Sequence, residues 1–158
     1  MTDSMKREFT LRVSQANPIS MITILYEIAL VYLEDAKNAY DKQERKEFSH
    51  ALHRAQDTIR QLQASLNTKY EPAPVLMKLY VYIHRVLAQA ITYFDTTYLE
   101  DPEKILSRLR DAYIQLEKTG NWESVMVNTQ VVYAGYTYGK NSMVDSFSTG
   151  SSNRGFLA

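Results

Sequence analysis

The sequence predicts an all-α chain: an antiparallel up-down four-helix bundle with an extended N-terminal arm and a non-bundle C-terminal tail. Three observations carry this. Apolar residues recur at steps of three and four through four successive segments, the spacing of one helix face. Helix-start and helix-stop chemistry falls at the ends of those segments. Only five glycines and four prolines interrupt 158 residues of which 45% are apolar, too few breaks for many short strands. Segments joined by short loops must alternate in direction.

The first helix is predicted to start at Asn17-Pro18, where a capping side chain precedes the one position at which proline loses no hydrogen bond. Its stripe is Ile22, Leu25, Tyr26, Ala29, Leu33, Ala36 and Tyr40. Beyond the charged DKQERKE, a second stripe runs Phe48, Leu52, Ala55, Ile59, Leu62 and Leu66, ending near Asn67. Pro72 and Pro74 break the chain, and a third stripe follows through Leu76, Leu79, Tyr80, Ile83, Leu87, Ala90 and Phe94. Asp101-Pro102 repeats the start signal for a fourth helix, with Ile105, Leu109, Ala112, Tyr113 and Leu116 facing inward and Gly120 suited to end it. Phe9, Leu11 and Val13 alternate, which predicts an extended arm over residues 1–16. The expected division is arm 1–16, bundle 17–118 and extension 119–158. In the extension, Val125, Val127, Val131 and the Tyr133, Tyr136, Tyr138 set are expected to lie along the bundle, while STGSSNRG reads as mobile.

Two of the helices are more apolar than a bundle core requires. The first adds Met21, Ile24, Ile28, Val31 and Tyr32 beside its stripe, and the third adds Tyr82, Val86 and Tyr93. A stripe of about 100° suffices for a core-facing helix. The surplus is consistent with a centrally packed helix or with a groove for a partner's amphipathic helix, and both hold if the arm or tail covers the groove until a partner displaces it. Ile24, Ile28, Val31, Tyr32, Tyr82, Val86 and Tyr93 are the candidate partner-binding residues.

Chemistry has little to work with. Eighteen basic and eighteen acidic side chains cancel, and the basic residues Lys42, Arg45 and Lys46 alternate with acidic ones, which disfavours nucleic acid. Cysteine is absent, removing thiol nucleophiles and thiolate metal sites and suiting a reducing compartment. No export signal or membrane-inserting stretch is read, and the cytoplasm is the expected location. Glu47-Phe48-Ser49-His50 has the E-x-x-H spacing of a carboxylate-bridged metal bundle, but the second such motif is missing. The alternative reading is a histidine phosphotransfer or metal-binding bundle using His50 and His53. No phosphate loop, dinucleotide fingerprint or nucleophile elbow occurs, so no enzyme, metal or cofactor is expected.

Four segments together resemble one family. Asn17-Pro18 with Leu25-Tyr26, then LHRAQDTIRQLQASLN, then LYVYIHRVLAQA, then Arg110-Asp111-Ala112-Tyr113 stand in the order and at the spacing of the FliS-type flagellar export chaperones. The resemblance covers about 100 residues. It implies a cytoplasmic, non-enzymatic four-helix bundle that binds the disordered C-terminal segment of flagellin, blocks premature filament assembly and aids export. A generic adaptor that also binds other export or regulatory proteins through the same groove is the related alternative. The arm here reads EFTLRVSQ, where that family has a Tyr-Gln motif thought to cover part of the groove.

Overall fold

The computed structural model describes residues 1–68 and 72–119. Its described elements are helical: α1 (Asp3–Gln15), α2 (Pro18–Asp41), α3 (Arg45–Ser65), α4 (Ala73–Tyr93), a 3-10 turn (Thr96–Leu99) and α5 (Glu100–Thr119). Among the described residues no helix is long and apolar enough to cross a membrane. Gly120 and the valine and tyrosine set of the extension lie outside the described residues.

The predicted start of the first long helix is there in atomic detail. Asn17 Oδ1 accepts from the Ile19 and Ser20 amides at 3.0 and 2.8 Å, satisfying two donors that have no partner inside the helix. Pro18 takes the first helical position. All seven expected stripe residues of α2 are buried except Tyr40, which is half-buried. At the other end, the Glu44 amide donates to the Ala39 carbonyl and the Gln43 amide to that of Tyr40, at 2.9 and 2.8 Å. Gln43 stands between them in the left-handed region, φ 60°.

Two expectations are corrected. Residues 1–16 are not an extended arm, because Asp3–Gln15 form a helix, capped by the Thr2 hydroxyl accepting from the Met5 amide. The alternation of Phe9, Leu11 and Val13 misleads because Leu11 is 59% exposed. The residues that pack are Met1, Met5, Phe9 and Val13, at steps of four. On α5 the buried line is Pro102, Leu106 and Tyr113, while Ala112 is exposed and Ile105, Leu109 and Leu116 are half-buried. Apolar residues at both 105 and 106 leave the helix rotation open by 100° in the sequence, and packing chooses Leu106.

Contacts at both ends of the helices fix their relative directions in pairs. Asn17 and Ser20 donate to Glu117, and Lys37 donates to Glu103 at 2.7 Å, so α5 runs opposite to α2. Arg45 donates to the Thr92 carbonyl, Gln56 to that of His84 and Gln63 to Met77 Sδ, so α4 runs opposite to α3. At the core centre the Tyr26 and Tyr80 hydroxyls are hydrogen-bonded, and Tyr113 packs on Tyr26 with ring centroids 5.5 Å apart. Burial drives both hydroxyls' pKa values above the usual phenol range.

Candidate functional site

At 100° per residue, Ile24, Glu27, Ile28, Val31 and Asp35 share one sector of α2, and Tyr32 borders it. That sector points about 160° away from Tyr26, hence away from α4. It is covered by α1. Arg12 Nη1 lies 2.6 Å from Glu27 Oε2, and the Met1 amine contacts Asp35, so α1 runs opposite to α2 along this face. Phe9 and Val13 turn inward beneath it and join the core. Under that cover Ile24 and Ile28 are 3% and 1% exposed, whereas Val31 and Tyr32 are half-buried. Tyr32 edges a polar cavity of about 500 Å³ shared with Lys6, Asp35, Asn38 and Arg54, and burial raises its phenol pKa.

The candidate residues of α4 stand elsewhere. Tyr82, Val86 and Tyr93 lie on the α4 sector opposite Tyr80, so this face and that of α2 look away from each other across the core. Tyr82 donates to Asp101 at 3.2 Å, and the Arg85 guanidinium sits 5.7 Å above its ring. With Val86, Gln89 and Tyr98 these residues line a shallow cavity of about 340 Å³. Tyr93, 65% exposed, stacks on Tyr98 of the 3-10 turn at 5.8 Å and 20°. Val75, 60% exposed, extends the same stripe by two turns and was not among the sequence candidates. Its spacing of seven from Tyr82 was the signal that could have found it. Tyr98 could not be found so, because only the 3-10 turn brings it back over α4.

The structure therefore presents two apolar surfaces, one under a helix and one on which Val75 and Tyr93 are exposed, Tyr82 is half-buried and Val86 is buried, 7% exposed. What they can do is bind apolar side chains. His50 and His53 are exposed on α3, and His53 Nδ1 lies 2.7 Å from the Ser49 carbonyl one turn back. Among the described residues no three His, Asp or Glu side chains are grouped so as to hold a metal ion.

With this geometry in hand, comparison with known proteins gives two findings. Residues 1–120 match the family model described as "Flagellar protein FliS". The chain is also similar to the flagellar secretion chaperone FliS of Bacillus subtilis (strain 168), 29% identical over 103 residues that span 65% of this chain and 77% of that protein. The matched stretch takes in α1 as well as the four longer helices.

Proposed function

The chain belongs to the FliS family of flagellar proteins, and from that premise we propose that it is a cytoplasmic flagellar secretion chaperone, without catalysis, whose guest is the disordered C-terminal segment of flagellin. In this reading residues 17–118 form an up-down four-helix bundle, residues 1–16 are its movable cover, and the guest takes the place of α1 on α2. The exposed Val75 and Tyr93, with the half-buried Tyr82 and the buried Val86 between them, hold a second stretch of the same guest. Holding the segment in this way keeps it from assembling before export.

One observation carries the proposal: the apolar face of Ile24, Ile28 and Val31 is closed by a separate short helix with two buried side chains, Phe9 and Val13, whereas α2 buries twelve. A cover of so little buried area is displaceable, since about 1.5–3 kcal/mol comes from each fully buried side chain. A guest helix burying a comparable set offsets the ordering of its own chain.

The absence of cysteine makes the test clean. Lys6→Cys with Asn38→Cys places the only two thiols in the lining of one cavity, the first on α1 and the second on α2. Bridging them with a short bis-maleimide should weaken binding of a flagellin C-terminal segment, read by calorimetry, at least about tenfold relative to the unbridged variant. Equal affinity with α1 locked down would refute the displaced-cover reading.

A further inference from the structure

Glu27 is an acid on a greasy face. Its neighbours in the sector are Ile24, Ile28 and Val31, and its carboxylate is only 26% exposed because Arg12 of α1 lies against it. The Arg12 guanidinium is itself held between that carboxylate and the Phe9 ring, 5.5 Å from the ring centroid. The cover thus brings three matched groups at fixed helical spacing: an aromatic at position i, a cation at i+3 and an aliphatic at i+4, namely Phe9, Arg12 and Val13. The cation is part of the fit, because an apolar helix seated over Glu27 without one leaves a carboxylate stripped of water and unpaired.

We infer that the α2 face selects a basic amphipathic helix, with Glu27 reading an arginine or lysine that the guest places three residues after one buried apolar side chain and one before the next. This rests on the reading that a guest displaces α1, and it adds the guest's charge pattern. Glu27 then has two successive partners, Arg12 in the closed chain and the guest's cation in the complex. An acidic or neutral helix of equal apolarity is rejected at this position.

Because Glu27 serves both states, changing it alone mixes two effects, so the experiment compares two backgrounds by calorimetry with the full-length chain and a flagellin C-terminal segment. Arg12→Ala removes only the cover's cation and should tighten binding about two- to fivefold, the loss of a partly exposed ion pair. Adding Glu27→Gln to Arg12→Ala should then weaken binding about tenfold, as a charge-assisted contact to the guest is lost. Circular dichroism confirms that both variants stay helical. If Glu27→Gln has no effect in the Arg12→Ala background while the segment still binds, Glu27 serves the cover alone and the inference is overturned. If neither the unmodified chain nor Arg12→Ala binds the segment, the chaperone reading itself fails and this inference goes with it.

Discussion

Gln43 and Phe94 both adopt left-handed backbone, φ 60° and φ 51°, just past the ends of α2 and α4. For a residue with a Cβ that conformation is disfavoured by roughly 1–2 kcal/mol, yet the two positions differ in what the side chain returns. Gln43 is exposed and reaches only the nearby Tyr40 carbonyl, at 3.1 Å. Phe94 packs its ring 5.0 Å from those of both Tyr40 and Phe48 and lies under the Arg45 guanidinium. Glycine should therefore act oppositely at the two sites. Gln43→Gly is expected to stabilise by about 0.5–1 kcal/mol, whereas Phe94→Gly is expected to destabilise by about 2 kcal/mol or more once the ring contacts are lost. Urea unfolding of the two variants checks this, and a shared sign would mean that backbone strain or ring packing has been misjudged.

Among the described α-helices, α1 is the least anchored. With two buried side chains and a largely polar outer surface, it should open well before the rest of the chain. In native-state hydrogen exchange the amides from Arg7 to Gln15 are expected to exchange at least about tenfold faster than those from Leu25 to Ala36; uniform protection would show that the helix is as firmly built in as α2. The same weakness explains why α1 was hard to read. Asn17-Pro18 announces α2 through purely local chemistry, so it is legible from two letters. Only a few packed residues distinguish α1, and the exposed Leu11 between Phe9 and Val13 imitates a strand. The surplus apolar character of Ile24, Ile28, Tyr82 and Tyr93 was legible as such. That the first pair would be roofed and the second pair open was not, since it depends on a helix the alternation concealed and on a chain reversal at Phe94 whose left-handed turn only tertiary packing supports.

At the scale of the whole molecule, Tyr26, Tyr80 and Tyr113 tie α2, α4 and α5 together at one point. Burial raises the Tyr26 and Tyr80 phenols; Tyr80 and Tyr113 add to the rise at Tyr26, whereas at Tyr80 the hydrogen bond with Tyr26 works against burial and Tyr113 adds to it. The folded chain thus keeps protons that the unfolded chain releases near the ordinary tyrosine value of about 10. Stability from this source is complete below that pH and falls as pH rises above it. Unfolding followed by circular dichroism between pH 8 and 12 should show that decline, and Tyr26→Phe with Tyr80→Phe should flatten it. An unchanged alkaline limb would place the titrating groups elsewhere. Finally, α1 ends at Gln15 and α2 begins at Pro18, so the roof, once displaced as proposed, cannot diffuse away. It competes with any guest at an effective concentration on the order of millimolar, set by a two-residue leash. In the proposed displacement, a guest is held against a resident rival that returns in a unimolecular step.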